Sequence, residues 1–182
     1  MRVADAEILI VPGWSDSGPE HWQSRWQAKL STARRVTQRD FETPIRIEWE
    51  ETIARDVLAS ARPAVIVAHS LGVIAALHAA RRVGDKIAGA FLVAPPSEAV
   101  IRELPLVDSD FLPIPRARLP FPAAMVGSSD DPYADLLFAR HLAQDIGAEF
   151  IDAGAAGHIN VESGHGPWPE GSLAFANFMG KL

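Results

Sequence analysis

Short, uninterrupted apolar runs alternate with stretches of helical periodicity along most of the chain. Residues 6–13, "AEILIVPG", read as a buried strand closed by a Pro-Gly turn. Residues 17–30 follow with Trp22, Trp26 and Leu30 at four-residue spacing, a helix with Pro19 suited to its first turn. A weaker strand is expected over 34–40 and an amphipathic helix over 49–61. "AVIVA" (64–68) is a third strand, followed by an alanine-rich helix over 71–82. Two further buried strands, 87–95 and 121–127, precede a helix over 133–147, a last strand over 148–154 and a closing helix over 171–182. Strands this uniformly apolar are buried on both sides. With helices between them they predict an α/β fold, a mostly parallel sheet covered on both faces. Ligands of such sheets bind beyond the carboxyl ends of the strands, so the loops after 11, 68, 94, 127 and 152 are the candidate functional loops.

Composition narrows the picture. The 182 residues fit one domain, 1–182, and no repeat, low-complexity segment or Gly/Ser linker divides them. The net charge is −6 and the basic residues form no run beyond Arg34-Arg35 and Arg81-Arg82, which argues against a nucleic-acid partner. No cysteine is present, so disulfides, thiolate metal sites and a cysteine nucleophile are excluded. No apolar stretch approaches the roughly 18 residues of a membrane span, and the acidic start "MRVADAEILIVPG" is too short for a signal peptide. A cytoplasmic protein with no membrane partner is expected.

The chemistry gathers at three of the predicted loops. "AHSLG" has the form small-x-Ser-x-Gly between a strand and a helix, the setting in which a serine is held on a strained turn with its hydroxyl above the sheet. Ser70 would then be a nucleophile, with the N-terminus of the following helix stabilising negative charge beside it. The plainer alternative is that Ser70 caps that helix. A serine nucleophile needs a base and the base needs an orienting acid, which this kind of fold supplies in the order Ser, acid, His. Of six histidines, His21, His78 and His141 fall in helical patterns and His69 adjoins Ser70. His158, in the glycine-rich loop after the last strand, is the better candidate base, with His165 seven residues on as the alternative. Asp130 and Asp131, in the loop after the preceding strand, are the candidate acids, although Ser, Asp and Pro there also suit a plain turn. The backbone N–H groups of Leu71 and Trp14 are the expected oxyanion donors, with Gly13 allowing close approach. The Trp14 ring could wall the site or pack.

Taken together, "VPGW", "AHSLG", "GSSDDPY" and "GHINVESGHGPWPEG" resemble the small α/β-hydrolase family of retinoblastoma-binding protein nine and bacterial YdeN. The resemblance runs from the first strand to the last helix. It implies a serine hydrolase without a large lid domain, with Ser70 as nucleophile, His158 as base and an aspartate of "DDP" as acid. The broad superfamily often sets this acid directly before a proline, as Asp131 precedes Pro132, which favours Asp131 over Asp130. Ala68 stands where glycine is common, and is small enough for the turn. The reading is hydrolysis of an ester or similar acyl bond of a small molecule through an acyl-enzyme, with no metal or organic cofactor. The rival is a non-catalytic module of the same fold that binds a protein. The proline-rich segment 95–120 is either a short cap or a surface loop.

Overall fold

The apolar runs become strands of one six-stranded sheet in the computed structural model, which describes residues 1–182. They are β1 (Glu7–Val11), β2 (Ala33–Arg35), β3 (Ala64–His69), β4 (Ile87–Val93), β5 (Ala123–Gly127) and β6 (Glu149–Asp152). Their spatial order is β2-β1-β3-β4-β5-β6, and every neighbouring pair is parallel. The helices are α1 (Trp22–Lys29), α2 (Arg46–Leu58), α3 (Leu71–Val83), α4 (Glu98–Glu103), α5 (Leu136–Ile146) and α6 (Pro169–Met179).

The strand period of two divides the core. Leu9, Val11, Ile66, Leu92 and Met125 face α2, α3 and α5, whose Trp49, Ile53, Ile74 and Leu142 pack on them. Ile8, Ile10, Val65, Val67, Phe91 and Val126 face the other way, against Trp22 and Trp26 of α1 and Phe175 and Phe178 of α6. Each such fully buried aliphatic side chain contributes about 1.5–3 kcal/mol relative to an exposed one. That is why the strands read as continuous apolar runs rather than alternating ones. No helix is long and apolar enough to cross a membrane.

Several boundaries differ from the sequence reading, for reasons that lie outside the local pattern. Helix α1 begins at Trp22, so Pro19 is in the turn before it and not in its first turn. The cap is His21, whose ring Nδ1 accepts the Gln23 N–H at 3.2 Å, an uncommon cap residue that left no signal. Helix α2 begins at Arg46 rather than 49, because the Arg46 N–H donates to Asp108 Oδ2 at 3.0 Å, a cap lent by a segment far along the chain. Segment 95–120 holds α4 and a 3₁₀ turn at Ser109–Phe111. Its Ile101, Phe111 and Ile114 are buried in the core on the α2–α3 side, and His78 of α3 is hydrogen-bonded to the Phe111 carbonyl at 3.0 Å. It is thus anchored at the side of the sheet, and Pro96 and Leu104 are its residues that reach the cleft above the strands.

The chain runs outward from β1 to β2, then returns to β3 and continues in the opposite direction. The order therefore reverses between β1 and β3, and the loops leaving their carboxyl ends diverge. A crevice opens at this point.

Candidate active site

Close packing at the crevice starts with two glycines. A Cβ on Gly72 would lie 2.3 Å from the Pro12 carbonyl oxygen and 2.6 Å from that of Val11, so only glycine lets α3 pass the end of β1. A Cβ on Gly13 would meet the Ser70 Cβ at 2.7 Å. The turn after β1 and the turn after β3 are therefore in contact. Gln23, fully buried, joins the two strands: its Nε2 donates to the carbonyls of Val11 and Val67, each at 3.1 Å, while its Oε1 accepts the Ser17 hydroxyl at 2.6 Å. Bonds of this kind are worth about 1 kcal/mol each.

Ser70 has φ 54° and ψ −129°, a conformation that side-chain-bearing residues rarely adopt and that stores about 1–3 kcal/mol. Its N–H is held by the Val93 carbonyl at 3.0 Å. Although Ser70 precedes α3, its side chain makes no capping bond. The hydroxyl instead lies 2.9 Å from His158 Nε2. A cap would have stabilised the helix by about 1 kcal/mol, so at this serine the helix goes without a side-chain cap and the backbone is strained. The plain capping alternative does not describe it.

His158 is buried in the loop after β6, and its Nδ1 lies 3.0 Å from each carboxylate oxygen of Asp131. In the neutral imidazole Nδ1–H donates to that carboxylate, which leaves Nε2 to accept the Ser70 hydroxyl proton. Asp131 Oδ1 also accepts the Tyr133 N–H at 2.9 Å, and the Tyr133 ring lies 4.4 Å from the imidazole, centroid to centroid. Ile159, next to His158, has φ 49°, a rare state for a β-branched residue. The Trp22 indole N–H holds its carbonyl at 2.9 Å. Both ends of the Ser70–His158 pair thus sit on constrained backbone.

The neighbours divide as their chemistry suggests. Asp130 faces away from the imidazole, accepting the Gly157 N–H at 2.7 Å and the Ser128 hydroxyl at 2.8 Å, so it ties its turn to the histidine loop. The Gly157 N–H, followed by the Ser128 hydroxyl, holds its carboxyl below the usual range. His165 is bonded to Ser163 at 3.1 Å and lies against Trp168, so it is not joined to Ser70. His141 is exposed on α5. His69 is a buried residue of the cleft lining, where burial, reinforced by His158 and His21, keeps its pKa well below the ordinary value. The neutral ring donates Nε2–H to the His158 carbonyl at 2.9 Å.

Leu71 is the first residue of α3, so its N–H has no partner within the helix. The Trp14 N–H makes none of the turn and loop bonds of the backbone. Both residues border the cleft, and a Cβ on Gly13 would come within 3.3 Å of the Leu71 nitrogen. The Trp14 ring lines the cleft, packs on the core and donates Nε1–H to the Glu42 carbonyl at 2.8 Å. The cleft has a volume of about 390 Å³ and is also lined by His21 and Asn160. The sequence reading set His21 aside as a helical residue, but it is the cap of α1 and faces this cleft. No grouping of His, Asp and Glu side chains suited to a metal ion is present.

A family model described as serine hydrolase matches residues 8–177. A YdeN-like protein of Pectobacterium atrosepticum superposes with a TM-score of 0.86 at 33% identity, over 97% of this chain and 92% of that one. The ydeN gene product of B. subtilis superposes with a TM-score of 0.78 at 20% identity, over 95% of this chain and 98% of that one. Esterase 2 of Thermogutta terrifontis gives 0.67 at 16% identity, over 97% and 83%. The last two are likenesses of fold. No curated protein matches the chain.

Proposed function

The chain belongs to the serine hydrolase family and has the α/β-hydrolase fold, and from this premise we propose that it cleaves an ester or related acyl bond of a small molecule through an acyl-enzyme on Ser70. The observation that carries this reading is the chain of contacts from Ser70 Oγ to His158 Nε2 and from His158 Nδ1 to Asp131. Ser70 Oγ attacks the carbonyl carbon while its proton passes to His158 Nε2. The carbonyl oxygen becomes an oxyanion, stabilised by the N–H groups of Leu71 and Trp14 and by the N-terminus of α3. The intermediate collapses, the bond to the leaving group breaks, and that group departs with the proton from His158. Water then attacks the acyl carbon and gives a proton to His158; the C–Oγ bond breaks, His158 Nε2 returns that proton to Ser70 Oγ, and the acid is released. Asp131 remains ionised throughout, fixing the tautomer and balancing the imidazolium.

A fluorophosphonate probe tests the reading. Labelling of the folded protein at Ser70, lost in Ser70→Ala, is the expected result. An unlabelled, folded wild type would favour a non-catalytic binding module.

A further inference from the structure

His21 has no task in the hydrolytic cycle just described. Its Nδ1 accepts the Gln23 N–H at 3.2 Å, and a ring nitrogen that accepts carries no proton, so the proton of the neutral ring is on Nε2. The residue is 5% exposed and lines the cleft with Ser70. No protein group bonds Nε2, yet this atom is not one of the sealed, unsatisfied polar atoms, which belong to Gln38 and Arg46. This N–H is neither partnered nor sealed, and the cleft is the cavity its residue lines. Burial, with Arg35, His158 and His165 nearby, lowers the pKa to about 4, so at neutral pH the ring is an uncharged donor.

Its position also has a side. The His21 ring packs 4.9 Å from that of His69, which donates to the His158 carbonyl. Adjacent Trp22 binds the histidine loop twice, through Nε1–H to Ile159 and through its backbone N–H to the His165 carbonyl at 3.3 Å. His21 therefore stands on the His158 side of Ser70. In acyl transfer that is the side on which the departing group collects its proton.

We propose that His21 Nε2–H is a hydrogen-bond donor to the leaving group, selecting esters whose alcohol portion carries an acceptor oxygen near the scissile bond. The proposal rests on the hydrolase reading above. An alcohol of the same shape without the acceptor displaces the donor's water and returns nothing, and a neutral bond of this kind is worth up to about tenfold in discrimination.

Methoxyethyl acetate and butyl acetate test this. They match in shape and share one acyl-enzyme, so deacylation is common to both and kcat/KM reports the step in which the alcohol leaves. The wild type should favour the methoxyethyl ester by up to about tenfold beyond the ratio of the two hydroxide-catalysed rates. His21→Asn keeps an acceptor for the Gln23 N–H and removes the Nε2 donor, so this preference should disappear. His21→Gln, with its amide nitrogen near the Nε2 position, should keep it. A wild type without the preference, turnover of neither ester included, or an Asn variant that keeps it, overturns the proposal. Should neither variant fold, the wild-type ratio decides. Failure of the underlying reading shows separately, as absence of fluorophosphonate labelling at Ser70.

Discussion

Replacing Asp131 by asparagine preserves shape and changes only which atoms donate. Oδ1 accepts the Tyr133 N–H at 2.9 Å, so in Asp131→Asn the amide oxygen is held at that position. The amide NH₂ then occupies the Oδ2 position, 3.0 Å from His158 Nδ1. The retained oxygen also lies 3.0 Å from Nδ1, but the NH₂ at the same distance opposes an Nδ1–H donor and pairs with a bare Nδ1, which favours the tautomer with its proton on Nε2. A protonated Nε2 cannot accept from Ser70, and the nucleophile loses its base. The expected fall in kcat is about 10⁴, equivalent to about 5.5 kcal/mol at about 1.36 kcal/mol per tenfold. Asp130→Asn retains an oxygen for the Gly157 N–H and the Ser128 hydroxyl, so kcat should stay close to wild type with a modest loss of thermal stability. The assay is kcat on p-nitrophenyl acetate for both variants side by side, with thermal midpoints as the check on folding. A larger kcat loss at Asp130 than at Asp131 would refute the tautomer argument.

His158→Ala should cost nearly as much kcat as Ser70→Ala, because the members of such a unit are not additive. His165→Ala, whose ring is bonded to Ser163, should keep most of the activity, and the reverse ranking on one ester would move the base to His165. Gly72→Ala forces β1 and α3 apart against backbone oxygens at 2.3 and 2.6 Å, so urea unfolding should show a loss of about 1–3 kcal/mol; unchanged stability would contradict that packing. His21 titrates at about 4 in the folded state against 6.5 when free, and His69 is likewise depressed. Below pH 6.5 the unfolded chain binds protons that the folded chain refuses. Stability should therefore be full above that pH and decline as pH falls towards 4, by about 3 kcal/mol for His21 alone. Denaturant midpoints that hold level over this window would contradict the burial of both rings.

The sheet could be read from the chain because burial on both faces leaves a direct mark: β1, β3 and β4 are uninterrupted apolar runs at the expected places. Ser70 was legible for a related reason, since a strand-turn-helix junction needs small residues at fixed offsets. What escaped was chemistry supplied across long sequence distances. Gln23 in a helical pattern looks like a surface residue until Val11 and Val67 place their carbonyls beside it. His21 looks helical in the sequence because only the fold reveals that its ring caps α1 and that the residue borders the cleft. Phe111 and Ile114 lie among prolines without strand or helix period, so their burial against α2 and α3 had no local signature. Among the letters, only Pro132 after Asp131 separates Asp130 from Asp131. The fold adds what faces each of them, the Gly157 N–H for Asp130 and the His158 imidazole for Asp131.

The central claim is that the Ser70 hydroxyl is the nucleophile, and steady-state hydrolysis of p-nitrophenyl acetate by Ser70→Ala tests it most directly. The hydroxyl makes no capping bond, so its removal should leave the fold intact, and circular dichroism should match the wild type. Turnover should fall by about 10⁶, leaving only the rate supplied by binding and the oxyanion donors. A folded Ser70→Ala protein, freed of contaminating esterase and still turning over near the wild-type rate, would contradict the account.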